Sequence, residues 1–169
     1  VTGVQTCALP IYLRTQGNVF FKVFIQSGIV QPDSHITYSP NFGQDLTIAV
    51  GGIDSDISID NVLYDLKTTK SHGYSKNYSL QIMSYYLFYL LDKLLYDKTD
   101  LQQHPIERIA LYKSRFGEIE YFDIKNIKHR MMTETLLALN NHFKLGINPI
   151  RIRDLTNEML LKKQLSENE

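Results

Sequence analysis

Four side chains in one short run have the types and spacing for metal-assisted chemistry: Asp54, Asp56, Asp65 and Lys67. The residues Asp54–Ile59 alternate between polar and apolar, Asp60-Asn61 suits a two-residue turn, and VLYDLK (62–67) resumes an extended pattern. That is a β-hairpin, and its register decides which acids meet. With Asp60-Asn61 at the turn, Ile59 pairs with Val62, Ser58 with Leu63 and Ile57 with Tyr64. Asp56 is then opposite Asp65, and Asp54 opposite Lys67, with directly facing Cβ atoms about 5 Å apart. Side chains alternate along a strand, so all four share one face. Facing carboxylates repel, and a bound cation relieves them. Oxygen donors of this kind suit Mg²⁺ or Mn²⁺. The plainer alternative is a strand face whose acids meet only water.

Beyond the hairpin, TTKSHGYSKNYS (68–79) reads as a basic, glycine-containing loop, with Ser79 placed to cap a helix running to about Tyr96. Gln81 and Tyr85 are four residues apart and share a face of that helix. Taken singly, each is an ordinary rim Gln and an ordinary buried Tyr.

The segment GGIDSDISIDNVLYDLKTTK (51–70) resembles motifs II and III of the PD-(D/E)XK nuclease superfamily: an Asp on one strand and Asp65-Leu66-Lys67 on the next. Gln81-Ile82-Met83-Ser84-Tyr85 matches the Q-x-x-x-Y motif of its RecB-like branch. The likeness is close over Leu46 to Tyr85, and over Ile106 to Ile124 it rests on strand pattern alone. It implies an α/β fold with a restriction-endonuclease-like αβββαβ core, a mixed sheet flanked by helices. It also implies Mg²⁺- or Mn²⁺-dependent hydrolysis of nucleic-acid phosphodiesters, DNA being the expected partner. By the same resemblance Asp56 and Asp65 hold the metal, with the Leu66 backbone carbonyl as a further ligand. Lys67 orients water or stabilises charge at the phosphate, and Gln81 and Tyr85 position substrate or water. Asp54 competes with Asp56: Gly-Gly-Ile-Asp54 has the family's wording, whereas pairing favours Asp56. Two departures stand out. Superfamily members carry a Glu on a helix before the first strand, and no Glu occurs between Val1 and Asp45. The cysteines of the iron–sulfur subgroup are also missing.

The elements that must position these residues are read from pattern. Val19–Ile25 suggests a short helix or strand, and LTIAV (46–50) a strand followed by a Gly51-Gly52 turn. LQIMSYYLFYLL (80–91) reads as a buried helix, too short for a membrane span and closed by Asp92-Lys93. IERIALY (106–112) and EIEYFDI (118–124) form a second hairpin. Residues 125–145 are helical by pattern, with Ile127, Met131, Thr135, Leu136 and Leu139 near one face, and Asp154–Gln164 makes a last helix.

The chain has 169 residues, with 18 basic and 18 acidic side chains, so its net charge is zero. That balance weighs against a protein that grips DNA through phosphates alone. Residues 1–11 resemble a translated sequencing adapter, and they hold Cys7, the one cysteine. The expectation is therefore a single, N-terminally truncated domain over 12–169, intracellular (cytoplasmic) and with no membrane partner. The five histidines show no metal-ligand spacing. Lys67, Lys70, His72 and Lys76, interleaved with Tyr74 and Tyr78, suit contact with a nucleic-acid backbone or with bases. Lys125, Lys128, His129 and Arg130 read as a solvated helix face or a phosphate-contacting one. Three functional readings follow: a metal-dependent nuclease, a catalytically inactive nuclease-fold module for nucleic-acid binding or assembly, and an α+β domain whose acids merely face water.

Overall fold

The computed structural model describes residues 18–40, 42–96 and 105–166; residues 1–11, with Cys7, lie outside them. In chain order the elements are a helical turn at 18–26, widened to π geometry over Phe21–Gln26, then β1 (Ile36–Tyr38), α1 (Gln44–Ala49), β2 (Ile57–Ile59) and β3 (Val62–Lys67). They continue with α2 (Lys76–Leu95), β4 (Arg108–Lys113), β5 (Glu118–Asp123), a 3₁₀ turn (Ile124–Asn126), α3 (His129–His142) and α4 (Pro149–Ser166).

β3 is central because it is apolar on both faces: Leu63 is fully buried on one side and Tyr64 is buried on the other. β2 turns back onto it in the expected register, Ile59 with Val62, Ser58 with Leu63 and Ile57 with Tyr64. The turn puts Asp60 at a left-handed φ of 51°, a conformation that short polar side chains tolerate through local hydrogen bonds. The Asp60 carboxylate accepts from the His35 N–H (2.8 Å) and the Ser34 hydroxyl (3.0 Å), which ties the turn to the approach to β1. β1 adds antiparallel to β2, β4 runs parallel to β3, and β5 returns antiparallel to β4. The sheet order is β1-β2-β3-β4-β5. A parallel neighbour needs a crossover, and α2 lies within that connection.

Two apolar layers flank the sheet. Leu63, Ile109 and Leu111 meet Leu46, Ile82, Leu91 and Leu136 from the helices. On the other face Ile57, Ile59, Tyr64 and Tyr112 meet Phe24. A helical turn as short as 18–26 is not stable alone. Its anchor is the buried Phe24 ring, edge-on to Tyr64 (5.3 Å) and Tyr112 (4.9 Å) and stacked on Phe20 (4.4 Å). Burying such a ring contributes about 1.5–3 kcal/mol. The chain is thus α/β, a five-stranded mixed sheet flanked by helices.

Several boundaries differ from expectation. Residues 46–50 are not a strand: Leu46–Ala49 belong to α1, and Val50 is its C-terminal flank. The cause is tertiary. Phe42 and Leu46 are buried in the helix-side core, and the Gly43 N–H at the start of α1 donates to Asp92 Oδ1 at 2.7 Å. Those anchors outweigh the weak strand propensity of Thr-Ile-Ala-Val. Ser75, not Ser79, caps α2, its Oγ accepting from the Tyr78 N–H. In α3 the buried residues are Met132 and Leu136, whereas Met131 is 58% exposed. The phase is set by α4, through a Thr133–Thr156 hydroxyl contact of 2.9 Å. α4 begins at Pro149, a residue suited to the first helical position, rather than at Asp154.

Candidate functional site

The end of β3 collects the side chains that the hairpin register singles out. Asp65 and Lys67 are two apart and therefore leave the strand on Leu63's side, the face that α2 covers. Lys67 Nζ lies 2.6 Å from Asp65 Oδ2 and donates to Gln81 Oε1 at 2.8 Å. Gln81 Nε2 in turn donates to the Tyr85 hydroxyl at 2.7 Å. An ammonium can only donate, so the amide oxygen of Gln81 must face Lys67 and its NH₂ must face Tyr85. The phenol accepts that bond and keeps its own proton for another acceptor. Lys67 Nζ also stands 5.1 Å from the centre of the Tyr78 ring.

Asp56 lies one residue before β2. Its Oδ2 accepts the Leu66 N–H at 2.6 Å, so the carboxylate reaches across to the neighbouring strand. In a strand the N–H and C=O of one residue point to the same edge, so the Leu66 carbonyl also faces the Asp56 side. The Lys67 carbonyl faces the other way and accepts from the Ser114 N–H at 3.0 Å. Asp54 is exposed and outside the ladder. Asp56, not Asp54, is the carboxylate whose charge is felt at Asp65 and Tyr85. Of the two competing acids, Asp56 is the one brought to the cluster.

The electrostatics of Asp65 are unsettled by construction. It is 2% exposed, and burial is the main force holding its carboxyl above the usual carboxylate range. Lys67 pulls it down, and the Asp56 charge pushes it up again. The close approach of Lys67 does not give Oδ2 a well-directed hydrogen bond, and Oδ2 has no other partner among the described residues. Tyr85 is likewise raised, by burial first and by the Asp65 charge, while the bond from Gln81 lowers it. It stays a neutral phenol.

The loop after β3 is fastened over this end of the sheet. Lys113, the parallel partner of Lys67, is 1% exposed; it donates to the Gly73 carbonyl at 2.5 Å and pairs with Glu120. His72 packs on the Phe116 ring (3.5 Å) and meets Glu118 at 3.2 Å. Lys70, Tyr74 and Lys76 remain exposed beside the cluster. Lys113 was not singled out from sequence. The one hint was a lysine closing an apolar strand, RIALYK, and its importance depends on the β3–β4 register. Lys125, Lys128, His129 and Arg130 lie elsewhere: residues 125 and 128 precede α3 and 129 and 130 begin it, at the end of the sheet where β4 starts and β5 ends, opposite Lys67.

No protein-family model, curated protein or solved structure matches this chain. Among the described residues no three His, Cys, Asp or Glu side chains converge as a metal-binding group, and no helix is long and apolar enough to cross a membrane.

Proposed function

We propose that this chain is a divalent-metal-dependent nuclease of the PD-(D/E)XK type, RecB-like in its Gln81/Tyr85 pair, that hydrolyses phosphodiester bonds of DNA. The observation that carries the reading is Asp65: a buried carboxylate that faces the charge of a second carboxylate, Asp56, and whose Oδ2 is met only by the Lys67 ammonium at 2.6 Å. Supporting it, the order helical turn, β1, β2, β3, α2, β4 follows the αβββαβ sequence of elements, with α1 inserted after β1.

The donors fit a hard cation. Asp65 Oδ2, Asp56 and the Leu66 carbonyl are all oxygens, and Mg²⁺ commonly takes one or two carboxylates and fills its remaining positions with water. A convergence of two acids is therefore sufficient. An ion held there supplies Lewis-acid stabilisation of the phosphate and makes water more acidic. The chain's own residues do the rest. Asp65 and Asp56 fix the ion's position against the strand end. Lys67, already held by Asp65 and Gln81, presents positive charge where the phosphate gains negative charge. Gln81 fixes Tyr85, whose proton is available to a phosphate oxygen. Lys70, Tyr74 and Lys76 border the approach for a nucleic-acid strand.

The test is cleavage of end-labelled single- and double-stranded DNA with Mg²⁺ or Mn²⁺. Chelation should abolish cleavage, and Asp65→Asn or Lys67→Ala should each lower it by about 10²–10³-fold, the usual loss for a group that stabilises developing charge. Undiminished cleavage by Asp65→Asn protein would sink the proposal. The absence of acids favours a second reading: residues 18–26 before β1 contain Lys22 and Gln26 and no carboxylate. A module that binds DNA without cutting it fits that feature. Metal-independent binding with no cleavage under any divalent ion would select it.

A further inference from the structure

At the far end of the sheet from Lys67, where β4 starts and β5 ends, a cleft of about 610 Å³ opens between the 3₁₀ turn, α3 and α4. Its size is that of sites that enclose a small organic molecule. The floor is apolar and contains Ile106, Ile124, Ile127, Met132, Met159 and Leu160. The rim is cationic: Arg108, Lys125, Lys128, Lys162 and Lys163 against the carboxylates of Glu107 and Asp123. With Glu158, which pairs with Lys162, five against three leaves an excess of two positive charges, in a chain whose net charge is zero. Arg108 is engaged by Asp123 at 3.1 Å. Lys162 meets Glu158 at 2.7 Å on the open surface, with the charge of Lys93 also felt there, and an exposed pair of this kind is weak and readily exchanged. Lys125 and Lys128 stand exposed on the rim.

His129 also borders the cleft. Its Nε2 is buried and has no hydrogen-bond partner among the described residues. A ligand in the cleft could meet that nitrogen only if the ring turned toward it, so the imidazole serves as a reporter of occupancy rather than as a contact. An apolar floor and a lysine rim together describe an amphipathic anion. Lysines act as separate point charges and suit a phosphate rather than a planar carboxylate, for which a free arginine fork is the better match. Methionine side chains on the floor favour contact with an aromatic ring.

We infer that this cleft binds a small organic phosphate of mononucleotide size, with its ring on the Met132/Met159 floor and its phosphate toward Lys125 and Lys128. The inference is independent of the nuclease reading, because no residue of the cleft belongs to the Asp65 cluster. The test is calorimetric titration with AMP, adenosine and inorganic phosphate in the presence of a chelator, on wild-type, Lys125→Glu/Lys128→Glu and Asp65→Asn protein. AMP should bind saturably at one site and shift the His129 ring resonances in NMR spectra. Adenosine and phosphate should each bind at least tenfold more weakly. The double charge reversal, at exposed positions that do not threaten folding, should weaken AMP at least tenfold, whereas Asp65→Asn should leave its binding unchanged. Absence of saturable AMP binding would overturn the inference. So would AMP binding no tighter than inorganic phosphate, or binding that the double reversal leaves intact.

Discussion

Two buried aspartates, Asp65 and Asp92, sit in regions that look alike by burial and differ in what surrounds them. Each is 1–2% exposed, and burial is the largest force raising each carboxyl; Asp92 Oδ2 has no hydrogen bond among the described residues, whereas Asp65 Oδ2 lies 2.6 Å from Lys67 Nζ. At Asp92 the opposing influence is a backbone N–H: Gly43, the residue just before α1, donates to Oδ1. At Asp65 the opposing influence is a side-chain charge, Lys67, and a second carboxylate raises the carboxyl further. A buried acid with an orphan oxygen is therefore not by itself a metal ligand. What separates the two is that Asp65 has a like-charged neighbour and an ion pair with Lys67, whose own hydrogen bond leads on through Gln81 to Tyr85.

The sharpest way to break that comparison is to neutralise each acid in turn. Asp65→Asn should cost about 10²–10³-fold in DNA cleavage, equivalent to about 2.7–4 kcal/mol, with little change in melting temperature. Asp92→Ala should do the reverse: wild-type kcat below its melting point, and a stability loss of about 1–3 kcal/mol from the Gly43 N–H left without its acceptor. Loss of cleavage in both variants, with both fully folded, would erase the distinction.

The next largest effect joins pH and metal. Both carboxyls are raised in the folded state above the ordinary value of 3.8. Each therefore favours the fold most at acid pH, and that contribution is lost as pH rises from 3.8 through the raised folded value. A divalent ion needs Asp65 ionised, so its affinity should strengthen with pH across that same window. At neutral pH, Mg²⁺ at about 100 times its Kd should stabilise the wild type by about 2.7 kcal/mol. Melting curves should show this shift in Asp92→Asn protein and not in Asp65→Asn protein. An equal Mg²⁺ shift in both would place the ion elsewhere.

The smallest effect tests the Asp92 corner alone. A Cβ at Gly43 would stand 2.6 Å from Asp92 Oδ1 and 2.8 Å from the Tyr96 ring. Gly43→Ala should lose about 1–3 kcal/mol in denaturant titration, as overpacked positions do. Cleavage should be unaffected.

Much of the Asp65 region was legible from sequence, because strand alternation and a two-residue turn determine register by counting. Those rules placed Asp56 at Asp65, and helix periodicity put Gln81 beside Tyr85. The Asp92 region was not legible. There, Leu46–Val50 reads as a strand by composition, and only its contact with a helix some 40 residues later in the chain makes it α1. Lys113 escaped for the same reason: its meaning lies in a parallel pairing that no local pattern announces. Local rules failed wherever a distant partner decided.

The parallel pairing also has a kinetic consequence. The hairpins β2–β3 and β4–β5 join neighbouring segments and can close in microseconds. Val62 meets Arg108 only across the whole α2 connection, and such closure is slow because chain entropy is lost before contacts are gained. Asp56 and Asp65 meet within the fast β2–β3 hairpin, whereas the Lys113 bond to Gly73 that fastens the loop forms only once β4 has paired with β3. The acids at this end of the sheet are thus brought together early and roofed late. Interactions made that late slow unfolding rather than hasten folding.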